Sequence, residues 1–179
     1  APKLLGKLIK RVVNDEEYIG RIIEVEAYTQ DDPACHAYKG MTKRNRILFG
    51  PPGHAYVYFT YGCHHCVNIV TGYEGRAEGI LIRSLQPVSG IDFMQRNRSK
   101  KNLKELCNGP GKLAQALKMD LSDSGIFVGE DRFCVLDDGY IPQKIVETTR
   151  IGISVAKDYP WRFYIDELKE WITPNSTKK

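Results

Sequence analysis

From Tyr18 to Tyr28 apolar and polar residues alternate, with Ile23, Val25 and Ala27 on one face and Ile22, Glu24 and Glu26 on the other. A period of two belongs to a β-strand. Ile9–Val13 reads as the strand before it, turned by Asn14–Glu17. The most aromatic and β-branched stretch, Ala55–Val70, predicts two strands, Tyr56–Thr60 and His64–Val70, joined tightly at Tyr61-Gly62. Gly79–Gln86 reads as a buried strand ending at Pro87. Gly90–Lys104 reads as a basic helix, and Asn108–Lys112 opens a second helix over Leu113–Lys118. Further strands are predicted at Phe133–Leu136, Ile151–Ser154 and Arg162–Ile165, and the end, Thr173–Lys179, is expected to fray. Between the first strands and the aromatic pair, Gln30–Gly53 is rich in chain breakers. It predicts a long ordered loop with one helical turn, a length more common in functional segments than in connectors.

Composition narrows this picture. The 179 residues make one domain, 1–179, with 42% apolar and 27% charged residues, a globular balance. No apolar run is long enough to span a bilayer. No signal peptide is visible, but the chain begins inside an apparent element, so a preceding segment is expected to be missing. Five cysteines without a framework spacing point to a reducing, intracellular setting. The net charge of +4 permits a nucleic-acid partner without requiring one.

Several residues are candidates for chemistry. Glu24 and Glu26 share a strand face about 7 Å apart. A paired-carboxylate hydrolase is the sharp reading, and a solvated face the ordinary one, above all for Glu24. Arg83 lies within an apolar run and needs a carboxylate partner or water, with Glu26 or Glu24 the natural candidate, because an unpaired buried charge is very costly. Tyr61 stands at the tip of a tight turn, where a large apolar group facing water suggests a partner, although on the hairpin alone the ordinary reading is that it folds back onto the domain. Basic residues cluster at Lys43, Arg44 and Arg46 and again from Arg96 to Lys104. The run Cys63-His64-His65-Cys66 does not suit zinc, because residues three apart on a strand point to opposite faces. The glycines at 109 and 111 do not fit a phosphate-binding P-loop, and no dinucleotide fingerprint is present.

Together these stretches resemble the alkyladenine (3-methyladenine) DNA glycosylases over nearly the whole chain. The resemblance rests on Gly20–Tyr28, Asp32–Tyr38, Arg44-Asn45, Gly50–Tyr58, Tyr61-Gly62, Cys66–Asn68, Ile82–Ser84, Asn108–Lys112, Arg150–Gly152 and Pro160–Tyr164, in that order. It implies an α+β fold: a compact domain around a curved, mostly antiparallel sheet, with a protruding β-hairpin that inserts into DNA. It implies that Glu26 activates the attacking water, held also by Arg83 and a backbone carbonyl near Ile151. Tyr28, His36 and Tyr58 would wall the pocket for an extruded base, Asn68 would disfavour guanine there, and Tyr61 would fill the gap in the duplex. Arg44 and Lys112 are expected on the DNA backbone. Damaged double-stranded DNA is the expected partner of a monomeric enzyme that needs neither metal nor cofactor. Small departures occur at Cys35, Ile47-Leu48, Thr60 and Cys63. A carbohydrate glycosidase using Glu24 and Glu26 would need no basic cluster or aromatic tip, and a non-catalytic nucleic-acid-binding module would need no Glu26–Arg83 pair.

Overall fold

The structure, a computed structural model, describes residues 1–174. Its strands are β1 (Leu8–Val13), β2 (Glu16–Thr29), β3 (Ala55–Thr60), β4 (His64–Val70), β5 (Glu78–Ser89), β6 (Gly129–Glu130), β7 (Phe133–Leu136), β8 (Ile145–Thr148) and β9 (Arg162–Ile165). Two short helices, α1 (Ile91–Arg98) and α2 (Pro110–Ala116), pack beside them. Every strand pairing is antiparallel. The order is β3-β4-β5-β2-β1-β7-β6, with β9 joined to both β2 and β8. This is the expected α+β architecture around a curled antiparallel sheet. Among the described residues no helix is long and apolar enough to cross a membrane.

The long strand β2 is the centre. One of its edges follows β5 for nearly its whole length. Its other edge is shared: Glu16–Arg21 pair with β1, and Glu24–Glu26 pair with Tyr164–Arg162 of β9. Glu24 and Glu26 therefore have strands on both sides. Both faces of this segment are covered as well, so Ile22, Ile23, Glu24, Val25 and Glu26 are all at 0% exposure. The solvated face expected for Glu24 is thus overturned, because Arg83, Arg162 and the Thr173 backbone, all distant in sequence, pack over that face. The ladder with β5 is irregular here. Ile22 pairs with Leu85, Glu24 with Ser84 and Val25 with Ile82, so Ile23 and Arg83 have no partner in register. Such bulges re-aim side chains, and Arg83 turns toward the two acids.

Other boundaries also moved. β5 runs past Pro87 to Ser89, with a register shift between Ile19 and Gly20 opposite the proline. The basic helix is shorter than predicted. Ser99 enters the left-handed region at φ 50°, and its N–H and that of Lys100 close on the Arg96 and Gln95 carbonyls. Arg96, Lys100 and Lys104 of this basic stretch are paired with Glu16, Glu105 and Glu170. No strand forms at Ile151–Ser154; β8 lies earlier, at Ile145–Thr148. Gly152 has φ 80°, and the polar groups of Ile151 face side chains of the site instead of a ladder. Thr173 does not fray: its N–H donates to Glu24 Oε2 at 2.7 Å. The rest of that expectation, beyond residue 174, lies outside the described residues.

Two clusters form the interior. The larger joins Ile9, Ile22, Val25, Val67, Ile82 and Leu85 of the sheet to Met94 of α1 and Leu113 and Leu117 at α2. The smaller is built by the long loop, with Cys35, Ala37, Leu48 and Phe49 around Tyr56, Val70 and Ala77. Its helical turn is a 3-10 segment, Arg46–Phe49. Helix α2 sits close on β4: a Cβ at Gly111 would lie 2.9 Å from the His64 ring.

Candidate active site

A cavity of about 540 Å³ opens between the hairpin β3–β4, the long loop, β5 and the segment Ile151–Val155. Its size suits a small-molecule or base site. Tyr28, His36, Tyr58, Tyr61, Asn68, Arg83 and Ile151 all line it, so seven of the ten residues singled out from the sequence converge on one place.

Glu26 lies directly behind this wall. Its Oε2 accepts from the Tyr28 hydroxyl at 2.8 Å and forms an ion pair with Arg83 Nη1 at 3.1 Å, and its Oε1 accepts from the Ile151 N–H at 2.9 Å. Arg83 Nη1 also points at the Ile151 carbonyl, 3.4 Å away. Burial works against the Arg83 charge, but Glu26 and Glu24 outweigh it and raise its pKa. Burial, then the neighbouring Glu26 carboxylate, drives the Tyr28 hydroxyl far above its ordinary value. Tyr28 is therefore a neutral donor to Glu26 at any physiological pH.

Alternation along β3 sends Tyr56 and Tyr58 to the cavity side. Tyr58 meets the His36 ring edge-on, with centroids 4.5 Å apart, and burial raises its pKa strongly. The Tyr56 hydroxyl lies 3.0 Å from His36 Nδ1, and burial pushes its pKa up to about 12. Enclosure by these rings, then the charge of Arg44, lowers the His36 pKa, so the imidazole is neutral at pH 7. The loop carrying His36 is pinned by Asn45, whose Nδ2 donates to the His36 and Gly40 carbonyls at 2.8 and 3.0 Å.

Asn68 faces Tyr56 across the hairpin, with Tyr58 opposite Cys66. Its Nδ2 donates to the Tyr56 carbonyl at 3.1 Å, which fixes the side chain on the cavity wall. At the hairpin end, Tyr61 and Gly62 both have positive φ, 51° and 69°, and the Cys63 N–H returns to the Thr60 carbonyl. Primed hairpin turns need this geometry. A tyrosine there is unusual, and its side chain is 81% exposed. Arg44 Nη2 donates to the Phe59 carbonyl at 3.1 Å and its guanidinium covers the Tyr58 ring, bracing the hairpin. Lys112 lies near the cavity's Pro110 and donates to Asn108 Oδ1 at 2.7 Å; burial, then Arg98, lowers its pKa.

Sequence reasoning gave no role to Asp32 and Arg150, which tie the site together. Arg150 grips both Asp32 oxygens and the Ala27 and Ala156 carbonyls. It lies over one face of the Tyr28 ring, 4.6 Å from the centroid. This pair joins the His36 loop to the Ile151 segment. Asp32 looked like part of a breaker run; the only available hint was an acid and an arginine inside the matched stretches. Glu24 and Arg162 form a second buried pair behind Arg83.

A buried carboxylate held by an arginine thus lies behind an aromatic cavity on a curled antiparallel sheet. Comparison with known proteins makes this specific. A family described as methylpurine-DNA glycosylase (MPG) matches residues 1–169. A protein of Carboxydothermus hydrogenoformans is 51% identical over 171 residues, 94% of this chain and 90% of its own length. Relatives from Francisella tularensis (strain FSC 198) and Methanoculleus marisnigri are each 50% identical over 171 residues, covering 93% and 92% of this chain and 89% and 88% of their own lengths. All three bear the name "Putative 3-methyladenine DNA glycosylase". The chain belongs to the methylpurine-DNA glycosylase family. It is with that a DNA-repair glycosylase, a hydrolase of N-glycosyl bonds whose partner is damaged DNA.

Proposed function

We propose that the whole chain acts as one monomeric, monofunctional glycosylase domain on alkylated or deaminated purines: the 3-methyladenine, 7-methylguanine, hypoxanthine and ethenoadenine class. It turns the damaged nucleotide out of the duplex and replaces the base by water, leaving an abasic site. The observation carrying this reading is the Glu26 carboxylate, held by Arg83, Tyr28 and the Ile151 amide behind an aromatic cavity.

The chemistry follows from these groups. A base within a duplex is out of reach, and flipping it costs a few kcal/mol in lost stacking. Tyr28, His36 and Tyr58 line the cavity and offer it aromatic surfaces. Arg150 covers one face of Tyr28, but Asp32 neutralises that charge, so the ring can still attract a cationic lesion by about 0.5–2 kcal/mol. The Arg83–Ile151 carbonyl contact at 3.4 Å is long for a hydrogen bond. A water that accepts from Arg83 Nη1 and donates to the Ile151 carbonyl, bound beside that contact, would lie against Glu26. As the C1′–N bond breaks, its electron pair leaves with the base; the water oxygen bonds C1′ and Glu26 accepts the proton. Among the described residues no lysine lines the cavity to form a Schiff base, so no strand cleavage is expected.

A duplex carrying one hypoxanthine tests the reading. Base release without strand breakage, and no complex trapped by borohydride, is the expected result. Binding without release would instead favour a non-catalytic module.

Tyr61→Ser should weaken flipping by about 1–3 kcal/mol, the scale of base–aromatic stacking. An exposed tyrosine on a positive-φ turn beside the cavity motivates this. Single-stranded substrate needs less help, so equal losses on single and double strands would contradict the wedge role. Asn68→Ala should raise release of undamaged guanine relative to hypoxanthine. Guanine differs by an exocyclic amino group, and blocking it leaves donors unpaired at about 1–3 kcal/mol. If both rates fall together, Asn68 serves only its bond to Tyr56.

The phosphate grip belongs to the loop more than to the basic helix. Lys39, Lys43, Arg44 and Arg46 make no ion pair among the described residues, and Lys43, Arg44 and Arg46 line a second hollow against Phe59 of the hairpin. Duplex affinity should fall steeply with salt. Lys43→Ala and Arg46→Ala should each reduce the log–log slope by roughly one; an unchanged slope in both would remove this loop from the interface.

A further inference from the structure

Glu24 is used by nothing described so far, yet it is wholly buried two residues from Glu26 on the same face of β2. Its Oε1 accepts from Arg162 Nη1 at 3.2 Å and lies 3.4 Å from Arg83 Nε, an ionic contact without hydrogen-bond geometry. Its Oε2 accepts from the Ser84 hydroxyl at 3.1 Å and the Thr173 N–H at 2.7 Å. Arg83 reaches the other way, to Glu26 at 3.1 Å. The result is a buried chain, Arg162–Glu24–Arg83–Glu26, with two positive and two negative charges.

The geometry of Arg83 is informative. A guanidinium devoted to one carboxylate closes a two-pronged fork with bonds of about 2.7–2.9 Å. Arg83 instead spans two acids with longer contacts on separate edges, Nε and Nη1. Glu24 and Glu26 compete for it. We infer that Glu24 is a positioning residue for base release: its charge, in ionic contact with Arg83, limits how tightly that cation binds Glu26, and so sets how readily Glu26 takes the proton of water. This rests on the reading of Glu26 as the water-activating group.

The electrostatic surroundings allow a clean sign. Glu26 is faced by Arg83 from β5, by the Tyr28 hydroxyl on its own strand and by the Ile151 amide. Arg150, Tyr58 and Cys66 lie near enough to feel its charge. Tyr28, Tyr58 and the Cys66 thiol are held neutral by burial. Glu24 is faced by Arg83, Arg162, Ser84 and Thr173 alone among the described contacts. Removing the Glu24 charge frees Arg83 for Glu26 and leaves the chain one charge positive. Removing the Arg162 charge does the reverse: Glu24 draws Arg83 toward itself and the chain is one charge negative.

The test is single-turnover release of hypoxanthine from a duplex across about pH 5 to 9, where the acid limb reports the essential base. Glu24→Gln should move the acid limb to lower pH by about half a unit or more, less than the 1–3 units of a direct charge neighbour. Its plateau rate should also fall, as expected of a weaker base. Arg162→Gln should move the limb to higher pH. Glu24→Asp keeps the charge and should restore the wild-type position. Limbs that stay in place in both Gln variants, or move in the same direction, overturn the proposal. If Glu24→Gln does not fold, Arg162→Gln decides alone: an upward shift supports the role and any other result overturns it. Glu26→Gln is the separating control, since wild-type release by that variant would remove the underlying reading instead.

Discussion

Glu26→Gln should reduce base release by about 10²–10⁴-fold, the usual contribution of a positioned general base, while binding of a lesion-containing duplex stays near wild type. The amide keeps the volume of the carboxylate and can still accept from the Tyr28 hydroxyl or the Ile151 N–H. It cannot take a proton from water, and it withdraws one of the two acids that hold Arg83. Folding should therefore suffer too, since half of a buried ion pair is lost. Glu24 remains to hold the guanidinium, so the fold should survive at low temperature. Single-turnover release and equilibrium binding, both measured well below the melting point of the variant, separate chemistry from stability. Release within a few-fold of wild type would end the assignment of Glu26 as the water-activating group. Comparable loss of binding and release would mean that the cavity itself has collapsed.

The second large effect should be on stability, with Asp32→Ala. Asp32 and Arg150 are almost fully buried, 1% and 4% exposed. Asp32 Oδ1 also accepts the Ala34 N–H at 3.0 Å, which turns the start of the long loop. Truncation leaves the guanidinium buried with only the Ala27 and Ala156 carbonyls. Breaking a buried pair by removing one partner costs about 3–5 kcal/mol. For a chain of this length that lowers Tm by roughly 6–20 °C. Replacing both partners, Asp32→Ala with Arg150→Met, should cost clearly less than Asp32→Ala alone, because no uncompensated charge remains. The comparison of melting curves decides it: a single-variant loss below about 1 kcal/mol, or a double variant worse than the single, would contradict a buried clamp. Activity should fall along with stability, since the clamp joins the loop of His36 to the segment of Ile151.

The two strands of the hairpin were legible to within a residue, because aromatic and β-branched residues run right up to Tyr61-Gly62 and a glycine there breaks the run. The need of Arg83 for a buried partner, an acid or water, was legible too, since an unpaired guanidinium within Ile80–Leu85 would be very costly. Helix ends were less so: nothing in the local pattern before Lys100 announces that Ser99 adopts positive φ. The segment Ile151–Ser154 looked like a strand because local composition is β-like, but its backbone groups are claimed by Glu26 and Arg83, which lie more than sixty residues away in sequence.

What the sequence determined by itself was therefore the set of parts: strands with a period of two, an aromatic turn, a basic loop, an acid, an arginine in need of a buried partner, and an ordered series of stretches that resemble one glycosylase family. Those features are local, or are carried by residue identity alone. Tertiary structure decided what each part faces. Alternation along β2 could place Glu24 and Glu26 on one side but could not say that Arg83, Arg162 and the Ile151 and Thr173 segments would cover that side. Burial of both acids, the sharing of Arg83 between them and the Asp32–Arg150 clamp all follow from chain segments distant in sequence packing against one another. A charge in low-dielectric surroundings is governed by the neighbours that packing brings to it, and only the folded chain specifies those neighbours.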